Sequence, residues 1–260
     1  MIKAVNDEAA ALKDKADVVV VLSHLGVDNE SKPNRSTDLW AGVKGIDFII
    51  DGHSHSVMTA GANKEPIQST GTAMANVGVI TIDNATKKIV ENKNINTVDF
   101  ARPDATVLAK ANELMKPVDD ELNVVFAKSE VDLNGTKGDD KGAIGNRNGE
   151  TNLGDLITDA MLWKAVSDIK LNVDSRNVVA ITNGGGIRAS INKGDVTKKD
   201  INTVLPFGNT LSVVYVTGDK LLEALEASTY CSPTPVGGFP QVAGMTFAIS
   251  ADVKYDANKD

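Results

Sequence analysis

The stretch Asp47-Phe-Ile-Ile-Asp-Gly-His-Ser-His55 decides the fold class. Its apolar centre is the short continuous run that is typical of a strand buried on both faces of a parallel sheet. A glycine and two histidines follow at once, and open α/β sheets collect ligands and catalytic groups at the carboxyl ends of their strands. The stretch therefore predicts an α/β fold in which the strand Asp47–Asp51 ends in a functional site.

The sequence on the amino-terminal side repeats this arrangement. Val18–Ser23 is a second continuous, β-branched run, which predicts a strand buried on both faces, and it is followed directly by His24. A short helix is predicted at Thr37–Val43, between the two strands. An opening helix is indicated by apolar residues at helical spacing, namely Ile2, Val5, Ala9 and Leu12. Helix and strand therefore alternate, as in a layered α/β unit.

Beyond the histidines the pattern changes to a hairpin and then to a long helix. Ala75–Asp83 and Lys88–Asn94 flank a turn at 84–86, which predicts two antiparallel strands. A capped helix is expected from Asp104 to about Met115 or beyond, and Pro117 should kink or end it. We interpret this helix as a connector. The predicted domains are residues 1–102, a connecting segment 103–120 and a second domain 121–260.

The second domain is also predicted to mix helices and strands. A flexible glycine-rich loop, Asn134–Gly149, lies near its start. The predicted elements are a helix at Asn152–Ala165, a strand at Asn177–Thr182 that ends in a glycine turn, a strand at Ser212–Val216 and a helix at Asp219–Glu226.

Composition excludes several classes of protein. The 260 residues carry 27 Lys and Arg against 35 Asp and Glu, a net charge of −8, and a nucleic-acid-binding surface requires a basic stripe instead. No apolar run reaches the roughly 18–20 residues of a membrane helix. The single cysteine, Cys231, excludes an internal disulfide and a cysteine-based zinc site. Met1–Asp17 lacks the pattern of a signal peptide, and with the polar, turn-like end Lys254–Asp260 it suggests that both termini are cuts in a longer chain.

All three histidines of the chain are expected at strand ends. His24 follows the first predicted strand, and His53 and His55 follow the second. In an extended segment residues i and i+2 project to the same side, so His53 and His55 should converge. Imidazole is a common ligand of zinc and similar metals. The alternative is three ordinary hydrogen-bonded histidines. Three carboxylates are candidates for completing the site, although their spacing is not persuasive: Asp28, Asp38 and Asp51.

A second candidate site follows the strand predicted at Asn177–Thr182. Successive glycines in Thr182-Asn-Gly-Gly-Gly-Ile-Arg188 permit positive φ angles and a nest of backbone N–H groups for an anion. Arg188 adds a planar charged fork for a carboxylate or phosphate. Phe207, in the turn Leu205–Thr210, offers a stacking platform for a flat ring. The alternatives are a simple glycine turn with a solvated arginine and a phenylalanine that fills the core.

Taken in order, these motifs resemble the bimetallic 5′-nucleotidases over essentially the whole chain. The matching motifs are Ser23–Gly26, Asp51–His55, Glu150–Met161, Thr182–Arg188, Gly194–Thr197, Leu205–Thr210 and Gly237–Gly244. The resemblance implies part of a calcineurin-like metallophosphoesterase layered sheet in residues 1–102. It also implies a connecting helix and an α/β 5′-nucleotidase C-terminal domain in residues 121–260.

The resemblance also implies roles for individual residues. His24 and His53 match ligands of one metal ion, and His55 matches a position that contributes to a second. A substrate pocket is implied in the second domain, where Phe207 would stack on the base and the remaining residues would hold the ribose or phosphate. Those residues are Arg147, Asn183, Gly185 and Arg188.

The sequence departs from the family pattern in what precedes and follows these motifs. The remaining metal-ligand motifs and the catalytic His–Asp pair of the family come before the motif at Ser23–Gly26, and only Met1–Leu22 precede it here. The second base-stacking aromatic of the family belongs to a segment beyond Asp260. No catalytic residue is therefore assigned in this chain, and the chain alone is expected to bind metal poorly and to catalyse little.

The expected activity of the whole protein is metal-dependent hydrolysis of nucleoside 5′-phosphates, with two divalent ions, Zn²⁺ or Mn²⁺, as cofactors. A 2′,3′-cyclic nucleotide 2′-phosphodiesterase/3′-nucleotidase shares the architecture and stays open, as does a nucleotide-binding chain without catalysis. The expected partner is a nucleotide and not a nucleic-acid polymer, and the sequence leaves the oligomeric state open. The family resemblance implies an extracellular, cell-surface or periplasmic location.

Overall fold

The computed structural model describes residues 1–99, 102–250 and 252–253, so the polar end Lys254–Asp260 lies outside the described residues. The fold is mixed α/β, as predicted. It divides into two units, Met1–Leu108 and Ala109–Asp260, and the boundary falls inside a long helix. Each unit has its own buried apolar cluster, and each is described separately below.

The first unit is built on a four-stranded sheet and a hairpin. The elements, in chain order, are α1 (Ile2–Leu12), β1 (Val20–Leu22), α2 (Ser36–Gly42), β2 (Phe48–Ile50), β3 (Val57–Met58), β4 (Ile67–Thr70), β5 (Asn76–Ile82) and β6 (Ile89–Asn96). The sheet order is β1-β2-β4-β3, with β1, β2 and β4 parallel and β3 antiparallel to β4. Strands β5 and β6 pair as the predicted antiparallel hairpin.

The core of the first unit lies between the sheet and α2. Leu39 of α2, Ile49 of β2 and Ile67 of β4 are all but inaccessible to solvent and pack together. The expectation that β1 is buried on both faces is wrong, because Leu22 is 82% exposed. Strand β1 occupies the edge of the described sheet and has a strand neighbour only in β2, whereas β2 lies between two strands.

Helix α3 (Ala105–Leu122) joins the two units, and none of its described side chains is buried. Pro117 does not end the helix, which extends beyond Met115 and continues for five residues after the proline. Lys116 donates to Asp120 across the proline at 2.8 Å, an i, i+4 ion pair of the kind that supports a helical turn. Asp119 and Glu121, in the last turn, pair with Lys199 and Lys198.

In the part of the second unit that the structure describes, there are two small antiparallel sheets and three further α-helices. Its elements are β7 (Val125–Ser129), α4 (Asn152–Asp168), β8 (Ala180–Asn183), β9 (Gly194–Thr197), α5 (Lys198–Val204), α6 (Gly218–Thr229) and β10 (Pro240–Ala243). Strand β7 pairs with β9, and β8 pairs with β10. The core cluster is Leu153, Ile187, Ile191, Val196 and Val204.

The strand expected at Ser212–Val216 is not formed in the structure. An isolated β-branched segment becomes a strand only when a neighbour takes its backbone hydrogen bonds, and no described strand pairs with this one. Its apolar side chains remain outside the core, with Val214 75% exposed. Within the described residues, no helix is long and apolar enough to cross a membrane.

The start of α2 generates a prediction about pH. Arg35 donates through Nε and Nη2 to both carboxylate oxygens of Asp38, at 2.9 and 2.8 Å, and its backbone N–H adds a third bond. These hydrogen bonds hold the pKa of Asp38 at about 2, below its ordinary value of 3.8. A carboxylate with a depressed pKa stabilises the fold above its unfolded pKa and loses this effect as the pH falls through the folded pKa.

We therefore expect Asp38→Asn to lower the free energy of unfolding at pH 7, and the difference from the unsubstituted chain to fade between about pH 4 and about pH 2, the unfolded and folded pKa values of this carboxyl. Urea unfolding across this range is the measurement. Asp7→Asn is the control, because the Lys3–Asp7 pair is a solvent-exposed helix pair of small effect. An Asp38→Asn deficit that persists undiminished at the acid end of the range would contradict the prediction.

Candidate functional site

His24 and His53 come together at the carboxyl ends of β1 and β2. The strands are parallel neighbours, with Leu22 opposite Ile50. The pairing continues one residue further, because the Ser23 N–H donates to the Ile50 carbonyl at 2.9 Å. The two imidazole rings that follow lie edge to face with their centroids 5.3 Å apart. The parallel register therefore places these two histidines side by side.

His55 does not join them in a cluster of three. The sequence argument assumed an extended segment, but His53 and His55 have φ angles of 73° and 52°, both in the left-handed region. The alternation of side chains along a strand does not hold in this backbone conformation. Among the described residues, no group of three or more His, Cys, Asp or Glu side chains is arranged to hold a metal ion. The prediction of a three-histidine cluster is therefore wrong.

The three candidate carboxylates are engaged elsewhere. Asp28 accepts from the backbone N–H and the hydroxyl of Ser31, and Asp38 binds Arg35. Asp51 is buried, and burial alone raises the pKa of its carboxyl. Hydrogen bonds from Ser36, the Leu25 N–H and Ser23 outweigh this effect, so that the pKa of Asp51 lies below its ordinary value. These carboxylates organise their own loops.

The donor chemistry of the histidine pair fits part of a metal site. Both rings are exposed, both belong to a residue type that zinc and manganese accept as a nitrogen ligand, and they stand close enough to share one ion. A zinc site has three or four protein ligands. The described residues supply two that are close together.

The second candidate site is built around the glycine turn that follows β8. The expected nest of free N–H groups is not formed: the Gly184 N–H donates to the Phe239 carbonyl and the Gly185 N–H to the Gly237 carbonyl, both at 2.8 Å. Glycine is needed at Gly184 because a Cβ atom there would lie 1.6 Å from the Asn146 carbonyl oxygen. The turn therefore serves close backbone packing.

Arg188 and Phe207 meet beside this turn. The guanidinium carbon of Arg188 lies 5.7 Å from the centroid of the Phe207 ring, within the range of a cation–π contact. Arg188 also donates through Nη1 to the Gly185 carbonyl at 3.0 Å. The Phe207 ring is 60% exposed, so it is not a core residue. The guanidinium group of Arg188 and the accessible face of the Phe207 ring therefore lie next to each other.

Asn183 and Arg147 approach the same turn through Gly237. The Asn183 side chain donates to the Gly237 carbonyl at 3.2 Å. The Arg147 carbonyl accepts from the Val236 N–H at 2.9 Å, and its Nη1 atom lies near Gly237. Sequence reasoning quoted Gly237 only within a motif and did not recognise it as the residue on which these contacts meet.

A cavity of about 460 Å³ lies within the second unit, between α4 and the segment after α5. The wall of the cavity is mainly apolar, and it includes Asn183 and Phe207 together with Leu156, Ala160 and Met161 of α4. The cavity places an apolar space next to the ring of Phe207, whose contact with Arg188 adds a cationic group beside it.

A buried amide holds these segments in place. Gln241 on β10 is 1% exposed and donates to the carbonyls of Asn146 (3.1 Å) and Gly149 (2.7 Å), while its Oε1 accepts from the Thr151 N–H at 3.2 Å. Asn146, fully buried, donates in turn to the Gly135 and Ile187 carbonyls. Sequence reasoning missed both amides, although an isolated glutamine within an apolar segment such as Val236–Ala243 is a usable signal.

Comparison with known proteins found a matching family profile and similar sequences. A family profile described as "5′-nucleotidase, C-terminal domain" matches residues 125–258. The chain is 32% identical to the trifunctional nucleotide phosphoesterase protein YfkN of Bacillus subtilis (strain 168), over 97% of this chain and 16% of that protein. It is 26% identical to a snake venom 5′-nucleotidase of Gloydius brevicauda, over 87% of this chain and 41% of that protein.

A solved structure gives the same result for the fold. The crystal structure of a 5′-nucleotidase precursor from Thermus thermophilus superimposes with a TM-score of 0.63 at 29% identity, over 93% of this chain and 49% of that one. The chain thus spans half or less of the length of these relatives.

The amide network generates a prediction. Gln241→Leu leaves two carbonyls and one N–H buried without partners, at a cost of about 1–3 kcal/mol for each group. We expect a lower free energy of unfolding in urea and loss of amide hydrogen-exchange protection at residues 146–151. The control is Gln68→Leu, which removes the only other glutamine, a buried donor to Asn92 in the first unit. Equal loss of protection at 146–151 in both variants would contradict the assignment.

Proposed function

This chain belongs to the 5′-nucleotidase family, and on that premise we propose that the whole protein hydrolyses nucleoside 5′-phosphates to nucleoside and inorganic phosphate. The observation that carries the proposal is the contact of the Arg188 guanidinium with the exposed ring of Phe207, beside Asn183 and Gly185. A nucleotide combines a flat base with a dianionic phosphate, and this arrangement offers a complementary partner to each part.

The proposed roles follow from the chemistry of each side chain. Phe207 stacks on the base, as aromatic side chains do in proteins that bind single-stranded nucleic acids. Arg188 and Arg147 donate charge-assisted hydrogen bonds to ribose or phosphate oxygens. Asn183 and the backbone at Gly185 orient the sugar. Holding the substrate in this way makes attack on phosphorus effectively unimolecular. We assign residues 121–260 to this substrate-binding domain.

We assign residues 1–102 to the metal-binding domain and 103–120 to the connector. His24 and His53 would hold one divalent ion, Zn²⁺ or Mn²⁺, and His55 would contribute to a second. Such ions, when bound, lower the pKa of a coordinated water and stabilise the charge of an in-line displacement. The histidines would orient the ion through their nitrogen donors.

A second candidate activity is hydrolysis of 2′,3′-cyclic nucleotides and 3′-nucleotides. The name of the Bacillus subtilis relative describes a trifunctional nucleotide phosphoesterase, and both reactions need the same base platform and cationic forks.

We also propose that the protein acts in nucleotide catabolism outside the cytoplasm, which agrees with the venom origin of one relative.

Phosphate release from a panel of substrates tests the activity. We expect the full-length protein to release phosphate from AMP in the presence of Mn²⁺ or Zn²⁺ and to stop when a chelator is added. Turnover of 3′-AMP and 2′,3′-cyclic AMP with no turnover of AMP would favour the second activity. Absence of turnover on all three substrates, with AMP still bound, would show a nucleotide-binding protein without catalysis.

The base platform is tested by Phe207→Ala in the full-length protein. Base stacking is worth about 1–3 kcal/mol, so the affinity for AMP should fall roughly ten- to a hundredfold, measured as KM and by calorimetric titration. Phe126→Ala is the matched control, because Phe126 is a phenylalanine of similar exposure, 58%, on β7. Unchanged KM and kcat/KM in Phe207→Ala would show that the ring does not contact the substrate.

A further inference from the structure

We propose that Asp51 is a positioning residue that fixes His24 beside His53. It does so by accepting hydrogen bonds from the two residues that flank His24, from a side chain on one side and from the backbone on the other. The inference concerns the geometry of the two imidazoles and stands on its own. Its consequence for metal binding rests on the proposed function.

The hydrogen bonds of Asp51 define a clamp around His24. The Oδ1 atom of Asp51 accepts from the Ser23 hydroxyl at 2.8 Å and from the Leu25 N–H at 2.9 Å. These donors belong to the residues immediately before and after His24. Because His53 is only two residues beyond Asp51, a single carboxylate oxygen ties the backbone around one imidazole to the segment that carries the other.

Burial makes this clamp strong. Asp51 is 8% exposed, and hydrogen bonds to an ionised acceptor are about twice as strong as bonds between neutral groups. Solvent therefore competes little for the carboxylate. A further hydrogen bond joins the same two segments: the Val27 N–H donates to the Ser54 hydroxyl at 3.3 Å. The segments 23–27 and 51–54 are thus joined on both sides of the imidazole pair.

The rings also depend on two glycines that interlock the segments. A Cβ atom at Gly52 would lie 2.8 Å from Nδ1 of His24, and one at Gly26, whose φ is +79°, would lie 3.1 Å from Cδ2 of His53. Each imidazole therefore packs against the glycine of the other segment. Such close packing requires that the two segments be held in a constant relative position, and the Asp51 clamp supplies that constraint.

The same strand offers a matched control at its other end. Asp47, just before β2, accepts through Oδ2 from the Val19 N–H at 2.8 Å, just before β1. Asp47 and Asp51 thus make the same kind of carboxylate-to-backbone bond between the same two strands. Only the bond at Asp51 lies beside the histidines, so a general effect on strand pairing can be separated from an effect on the imidazoles.

Nuclear magnetic resonance of the 260-residue chain tests the clamp directly. The chain has three histidines, so every imidazole can be assigned. We expect ring-to-ring nuclear Overhauser effects between His24 and His53 in the unsubstituted chain, in Asp47→Ala and in the conservative Asp51→Asn, whose amide oxygen still accepts both bonds. Asp51→Ala should lose these cross-peaks. If Asp51→Ala does not fold, Ser23→Ala, which removes one donor, should weaken them.

The proposal is overturned if the cross-peaks persist at full intensity in folded Asp51→Ala, or in Ser23→Ala where the former does not fold. It is equally overturned if Asp47→Ala loses them as completely as Asp51→Ala does. Rescue by asparagine supports positioning by hydrogen bonds, since a requirement for negative charge would not be met by an amide.

A Zn²⁺ titration, followed through the imidazole nitrogen shifts, adds the consequence for metal binding. Residues that orient metal ligands typically change metal affinity by about 10–100-fold when mutated. We expect a weakening of this size in Asp51→Ala and none in Asp47→Ala. If Zn²⁺ does not shift the histidine signals of the unsubstituted chain, the consequence for metal binding fails for this chain, while the Overhauser measurement still decides the role of Asp51.

Discussion

Close approach between backbone segments is the constraint on which both candidate sites depend. In the first unit, the ring of His24 packs onto the backbone at Gly52, where a Cβ atom would lie 2.8 Å from its Nδ1. In the second unit, the turn at Gly184 packs against the Asn146 carbonyl even more closely. The functional side chains of each unit can approach one another because the neighbouring backbone position is a glycine.

Such contacts need polar groups that hold the segments at the required distance. Asp51 does this in the first unit, and Gln241 does it in the second. Both are nearly inaccessible to solvent and both satisfy backbone groups of a neighbouring loop. Removing such a side chain is costly, because the backbone groups that it satisfies would be left without partners in a medium of low dielectric constant. The same physical device therefore stabilises two sites of different chemistry.

The two sites differ in how far the described residues complete them. The proposed nucleotide site has an aromatic face, the guanidinium group of Arg188 and an adjoining apolar space within one unit. The proposed metal site has two neighbouring imidazoles, while the nearby Asp51 binds hydroxyl and backbone donors. This difference is the physical reason for proposing that the chain by itself recognises a nucleotide better than it binds metal.

The sequence by itself determined the α/β class, the hairpin, helices α1 to α4 and α6, and the strand-end position of the histidines, because these follow from local periodicity, turn residues and capping. The short helix α5 was not predicted. Tertiary structure decided the rest. It placed β1 at a sheet edge and left residues 212–216 without a strand neighbour among the described strands, since pairing depends on distant segments. It placed His53 and His55 in the left-handed region of backbone angles, so that the alternation expected of an extended segment does not apply to them. It also gave Asp51 and Gln241 their roles, since a buried polar side chain is defined by partners that lie up to 95 residues away.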